Sequence, residues 1–308
     1  MRAVMIHSFG EPDVLAVADV PTPEPGPGQV RIAVRAATVN PVDTHTRAGR
    51  HASFMPKRDG YGLGWDVAGV VDALGDGVTG FQVGDDVMGL SDYFDHLNGM
   101  QAEYVVLDAS AITRTPPGIN AIEAATLPLN SLTAAQALDL IGLTTGQTIA
   151  ITGAAGAVGD FATRLAVHAG LQVYGIASES DAEEIRRIGA VFVPRSDDPA
   201  AAIRALVPAG VDAVFDTALV GAPVLGAVRD GGVFVNVSRA LAPEAERGIR
   251  VDGVMVRSDG TRLAELAELV VRGVLPLRVA DTFPLERVAD AHARLAKGGV
   301  RGRLVLVP

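Results

Sequence analysis

A chain of 308 residues, 48% hydrophobic and 20% charged with a mean hydropathy of +0.29, can bury the cores of two domains and lacks the composition of a disordered protein. Its net charge of −10 and pI near 5.0 argue against a nucleic-acid partner, since affinity for a phosphate backbone comes from Lys and Arg. The absence of cysteine excludes disulfides, thiolate–zinc sites and cysteine nucleophiles. No apolar run has the length of a signal peptide or reaches the roughly 18 residues of a membrane span, so no membrane partner and a cytoplasmic location are expected.

In chain order, Arg2–His7 and Val30–Ala36 alternate as strands on either side of the Pro/Gly-rich Pro21–Gln29. Asn40-Pro-Val-Asp43 reads locally as a capped turn that leads into a loop through His45 and His51. A strand broken by glycines follows at Gly64–Gly75, then a hairpin-like turn at Gly84-Asp85 within Val78–Val87, then a short strand at Met100–Val106. Turn signals about every ten residues indicate a small β domain. Pro116-Pro117-Gly118 closes it, and helices are predicted over Ala121–Leu129 and Ala134–Ile141, with Thr133 placed to cap the second.

Thr148–Gly170 then combines a strand, a turn of Gly and Ala, and a helix over Asp160–His168. Against the G-x-G-x-x-G pattern, Gly156 and Gly159 stand at the second and third glycines and Ala154 at the first, with Gly153 just ahead of it and Ala155 inside the turn. Small residues admit a pyrophosphate, and the N–H groups of Ala157, Val158 and Gly159 face it at the positive end of the helix dipole. Further strands at Leu171–Ala177, Ala190–Pro194, Val211–Asp216 and Gly232–Val237, with a charged helix over Asp181–Gly189, predict a parallel, doubly wound sheet. Ligands of such sheets lie at the carboxyl ends of the strands, here Ser178, Asp216-Thr217 and Ser238.

Asn40–Asp43, Gly64-Trp-Asp-Val-Ala-Gly69-Val70, Phe81–Val87, Ala102–Val105, Leu127–Ala134, the Gly153–Gly159 turn, Val211–Asp216 and Arg301–Leu306 together resemble the medium-chain dehydrogenase/reductase superfamily, in particular its zinc-independent quinone oxidoreductase group. The resemblance extends over nearly the whole chain. It implies an α/β protein with a GroES-like catalytic domain over residues 1–120 completed by 275–308, a Rossmann domain over 121–274, and an active site in the cleft between them. Zinc-dependent relatives place cysteine near Asn40 and a His-Glu pair near Trp65-Asp66, and neither is present. No zinc is therefore expected. Without a Lewis acid, the reaction that remains is hydride transfer from a reduced nicotinamide to a quinone or an α,β-unsaturated carbonyl.

The resemblance also assigns roles. Asn40 and Asp43 fall at positions beside the nicotinamide and acceptor, Thr133 resembles a nicotinamide contact, and Asp216, Thr217 and Ser238 fall near the nicotinamide ribose and carboxamide. Trp65 and Tyr61 read as buried packing or as walls of the acceptor pocket. His45 and His51 stand where quinone reductases often carry tyrosine and could protonate the developing oxyanion; the alternative is a pair of solvated loop histidines. The other histidines, His292 among them, lack metal-ligand spacing. The second predicted strand of the doubly wound sheet ends without the acidic residue that binds a ribose 2′-OH, so NADP(H) is expected ahead of NAD(H). Ser178 and Ser180 would bind its 2′-phosphate, with the charge supplied by Arg195 or Arg303. A small-molecule substrate and a homodimer joined at the apolar strand Gly232–Val237 complete the expectation. The competing reading is a nucleotide-binding protein of the same fold without enzymatic activity.

Overall fold

The computed structural model describes residues 1–308. Its first eight strands are β1 (Arg2–Ile6), β2 (Ala16–Asp19), β3 (Gln29–Val39), β4 (Tyr61–Gly62), β5 (Asp66–Leu74), β6 (Asp86–Leu90), β7 (Tyr104–Asp108) and β8 (Ile112–Arg114). All of their pairings are antiparallel, and alternate residues of β3, β5 and β7, including Val30, Ile32, Val67, Val71, Val105 and Leu107, form one apolar core. Strands β3 and β5 approach so closely that a Cβ on Gly69 would lie 2.2 Å from the Ala33 carbonyl oxygen, which explains the glycine inside an otherwise bulky strand. Three short helices, α1 (Pro41–Arg47), α2 (Tyr93–His96) and α3 (Ala121–Ala124), accompany these strands.

The second set begins with α4 (Pro128–Ile141) and β9 (Thr148–Thr152), then α5 (Ala157–His168), β10 (Gln172–Ala177), α6 (Ala182–Ile188), β11 (Val191–Pro194), α7 (Pro199–Leu206), β12 (Val211–Asp216), α8 (Ala222–Leu225), β13 (Val228–Asn236) and β14 (Arg250–Gly253). These six strands form a wholly parallel sheet in the order β11-β10-β9-β12-β13-β14, the doubly wound arrangement, around Ile176, Val193, Val214 and Phe234. The chain ends with α9 (Gly260–Val271), β15 (Val279–Pro284), α10 (Val288–Ala296) and β16 (Arg303–Val307), where β16 joins the antiparallel sheet beside β3.

The two compact units are Met1–Leu129 with Arg257–Pro308, and Asn130–Val256. These limits differ from 120/121 and 274/275 for identifiable reasons. Helix α3 packs on β3, β5 and β6, and α9 packs on β8, where a Cβ on Gly260 would lie 2.2 Å from the Ile112 carbonyl. Both helices thereby belong to the first unit.

Several local expectations change. Pro41 continues from Asn40 into a true helix, so His45 lies on α1 and not in a loop. Residues 75–85 are turns, and β6 starts only at Asp86. The helix predicted over 121–129 is a single turn, and Pro128 starts α4 early, which puts Thr133 inside a helix where it caps nothing. Strand β13 is not a sheet edge, because Val233–Asn236 pair in parallel with Arg250–Gly253. The edge of the sheet on that side is β14.

Candidate active site and nucleotide-binding turn

In the second unit, Gly153 takes φ +59° at the end of β9, and its carbonyl accepts the Gly156 N–H at 2.8 Å, which closes the turn. Gly156 caps α5 in an extended conformation without any side-chain partner, so the N–H groups of Ala157, Val158 and Gly159 have no acceptor within the helix. Gly156 and Ala157 are exposed and Ala155 and Val158 half-buried, while Ala154 and Gly159 are buried. A Cβ on Gly159 would lie 2.1 Å from the Gly153 carbonyl oxygen, so the turn can sit this low on the helix only because position 159 has no side chain. Open N–H groups at a helix start fit a dinucleotide pyrophosphate.

Other residues assigned to the nucleotide separate into two kinds. Arg195, exposed after β11, donates its backbone N–H to the Ala177 carbonyl at 2.9 Å, which brings it to the end of β10 beside Ser178. The Ser178 hydroxyl donates to Asp181 and lies 3.0 Å from that of Ser180. Asp216, by contrast, is fully buried: its carboxylate accepts the Thr152 hydroxyl at 2.6 Å and the N–H groups of Val220 and Gly221 at 3.1 and 2.8 Å. It shapes the loop after β12 from below. Thr217 donates to the Thr152 carbonyl at 2.5 Å, and the Ser238 N–H donates to Asn236 Oδ1 at 2.7 Å. Thr133 is buried on the second turn of α4.

In the first unit, Asn40 ends β3 in extended conformation and caps α1, whose third residue is Asp43. The Asp43 carboxylate accepts the N–H groups of Asn40 at 2.8 Å and Gly64 at 3.1 Å. The Asn40 amide donates to Asp66 Oδ2 at 2.8 Å and to the Thr38 hydroxyl at 2.9 Å; Thr38 donates to the same Asp66 oxygen at 2.5 Å, and the Leu129 N–H reaches its other oxygen. Arg303 on β16 is buried close enough to bias both carboxylates. Burial pushes Asp43 up to about 7, reinforced by the Asp66 charge, and burial also raises Asp66 against the pull of Arg303. Desolvation lowers Arg303 to about 10. Arg303 is thus paired with two buried acids within its own unit, while Arg195 stays exposed. Asn40 and Asp43, read as catalytic from sequence, direct their polar atoms into this network.

His45 and His51 lie together, with ring centroids 6.2 Å apart, and His51, Phe54, Phe94, Trp65 and Tyr93 continue an aromatic wall with centroids 5.1–5.5 Å apart. Trp65 and Tyr61 are both buried. Thr46 donates its single hydroxyl proton to the Val42 carbonyl at 2.9 Å, so its 3.0 Å contact with His51 has Nδ1–H as donor. Arg50 approaches His45 at Nε2, which makes that nitrogen an acceptor. Burial lowers both imidazoles, with Arg50 adding to the effect at each and His45 acting on His51. At neutral pH both rings are uncharged with Nε2 as acceptor, so neither is the ready proton source expected from an ordinary imidazole. Sequence reasoning missed Thr38, Tyr93 and Phe94 and took Asp66 only as a displaced zinc position.

The same donor set does not suit zinc. Asn40 turns its amide hydrogens toward Asp66, no thiolate is present, and a buried guanidinium already opposes a second cation. No group of three or more His, Cys, Asp or Glu is placed to hold a metal ion, and no helix is long and apolar enough to cross a membrane.

Residues 26–117 match the alcohol dehydrogenase GroES-like domain and residues 188–306 the zinc-binding dehydrogenase family. The chain is 30% identical over 322 residues to 2-methylene-furan-3-one reductase of Solanum lycopersicum, covering all of this chain and 79% of that protein. The quinone oxidoreductase structure from Coxiella burnetii superposes with a TM-score of 0.85 at 30% identity, covering 100% of this chain and 99% of that one. A mycobacterial structure complexed with NADPH superposes with a TM-score of 0.86 at 28% identity, covering both chains in full. Two polyketide synthases, from Streptomyces venezuelae and Mycobacterium tuberculosis, match at 35% and 31% identity, but the chain spans only 8% and 15% of their lengths. A Gly/Ala turn opening a helix in a doubly wound sheet, an antiparallel unit closed by the last strand, and relatives aligned across the whole chain place this protein in the medium-chain dehydrogenase/reductase superfamily, where it is similar to the quinone oxidoreductases.

Proposed function

We propose that this chain is an NADPH-dependent reductase of quinones or α,β-unsaturated carbonyls. The observation that carries the reading is the α5 N-terminus, where three unpartnered N–H groups stand over a glycine that no other residue can replace without displacing the turn. The Asn40–Asp43–Asp66 set, tied by its own hydrogen bonds and biased by Arg303, supports reduction of an acceptor that is already electrophilic. The bound reduced nicotinamide supplies the hydride. Ala157, Val158 and Gly159 hold the pyrophosphate, Arg195 with Ser178 and Ser180 holds the 2′-phosphate, and the network beneath α1 fixes the aromatic wall that orients a flat acceptor. The soluble setting is proposed to be the cytoplasm, and a homodimer across β14 should sediment at about twice 31.8 kDa. A steady-state screen of NADPH oxidation against simple quinones and enones tests the activity. Tight nucleotide binding with no oxidation by any acceptor would favour a non-enzymatic nucleotide-binding protein instead.

Two further outcomes follow from the site. Arg195→Ser should lower the preference for NADPH over NADH by about tenfold, the scale of one charge-assisted hydrogen bond to the 2′-phosphate. An unchanged ratio of kcat/KM values for the two cofactors would remove Arg195 from that role. His51→Phe should lower enone kcat/KM about tenfold at pH 6 and less at pH 8. The sign follows from the lowered pKa: His51 donates a proton only as imidazolium, whose population grows as pH falls below the ordinary 6.5. Activity should therefore rise toward acid in the wild type and stay flat in the variant, as a pH–rate profile would show.

A further inference from the structure

Arg47, the last residue of α1, is 5% exposed, and neither its Nε nor its Nη1 has an acceptor. Helix α10 packs against α1 and against the single helical turn at Pro12–Val14, and it carries His292, fully buried with both ring nitrogens unpartnered. The two groups share one environment: burial pushes the His292 imidazole down to about 3, and the Arg47 charge acts in the same direction. Glu11 and Asp13 pull on Arg47 from exposed positions, yet neither accepts a hydrogen bond from those two nitrogens. Burying a guanidinium whose Nε and Nη1 have no acceptor is unfavourable, and the exposed Glu11 and Asp13, with the negative end of the α1 dipole, offset only part of that cost.

We propose that Arg47 and His292 form a binding site for one small monovalent anion of the halide class. The guanidinium supplies two inward N–H groups and the charge, and the neutral imidazole supplies a third N–H. Deep burial favours a small occupant, and a phosphate or carboxylate would bring more acceptor lone pairs than these donors satisfy. The site lies in the first unit, at the packing of α10 on α1. Its occupant would steady the C-terminal turn of α1, the helix whose first turn carries Asp43 and whose cap is Asn40.

The test is thermal unfolding of the full chain in sodium chloride against sodium gluconate at equal ionic strength. Chloride or bromide should raise Tm saturably, by about 2 °C at ten times the dissociation constant, and gluconate should not. The rise should vanish in Arg47→Met and in His292→Leu. Equal melting in the two salts, or a chloride-dependent rise that survives Arg47→Met, would overturn the assignment. Should both variants fail to fold, anomalous scattering from bromide-soaked wild-type crystals decides: a peak between Arg47 and His292 supports the site. Arg47 bonded there to Glu11, Asp13 or ordered water alone overturns it.

Discussion

Gly159→Ala should lower NADPH affinity by at least about 100-fold while leaving the protein folded, because two or more charge-assisted hydrogen bonds of about 1.5–3 kcal/mol each depend on the shape of one turn. The added Cβ would lie 2.1 Å from the Gly153 carbonyl oxygen, 2.8 Å from its carbon and 3.0 Å from Ala154 Cα, all backbone atoms of the turn itself. No side-chain rotation relieves such contacts. The turn must lift, and the N–H groups of Ala157, Val158 and Gly159 then lose their common focus. Gly156→Ala is the control. Its φ of −76° suits any residue, and its Cβ would meet only the Gly153 oxygen, at 3.0 Å, so a shift of a few tenths of an ångström accommodates it. Less than about a tenfold loss is expected there, the equivalent of one weakened hydrogen bond. Fluorescence titration with NADPH, alongside circular dichroism to verify folding, measures both. Binding by Gly159→Ala within threefold of wild type would show that the turn does not hold the nucleotide.

Asp66→Asn should cost about 3–5 kcal/mol of stability, the range for breaking one side of a buried charge arrangement. The Asp66 carboxylate receives donors from Thr38, Asn40 and Leu129, and an amide must turn its own donor toward one of them. The same change strips Arg303 of the stronger of its two buried acidic neighbours. A urea midpoint indistinguishable from wild type would contradict the account.

The pH dependence of this network has a definite sign. Asp43 keeps its proton in the folded protein up to about 7, against an ordinary value of 3.8, so between these limits the native state binds more protons than the unfolded chain. Its contribution is fully present below the unfolded value and is lost as pH rises through 7. Asp43→Asn should remove that slope, and Asp66→Asn should lessen it by deleting the neighbouring negative charge that helps hold the Asp43 proton. Urea unfolding at intervals from pH 4 to 8 reads both slopes.

The Gly153–Gly159 turn was legible from sequence because its closing hydrogen bond and its tightest contact, Gly156 and Gly159 against the Gly153 carbonyl, lie within seven consecutive residues, and so was the succession of apolar strands around it, which needs only local periodicity. The order of those strands agrees with the simple doubly wound pattern, but the place of β14 does not follow from its short, polar Arg250–Gly253 segment; only pairing with β13 makes it a strand. Asn40 and Asp43 stood out as a motif. Their partners did not: Asp66 and Arg303 lie far along the chain, and strands β3, β5 and β16 must assemble before four polar groups share one buried volume. Burial then decided the chemistry, raising Asp43, turning Arg303 from a surface phosphate ligand into an internal counter-ion, and leaving His45 and His51 neutral. Residue identity sets which protons and charges are available, while desolvation and long-range neighbours, which exist only in the folded chain, set where they reside.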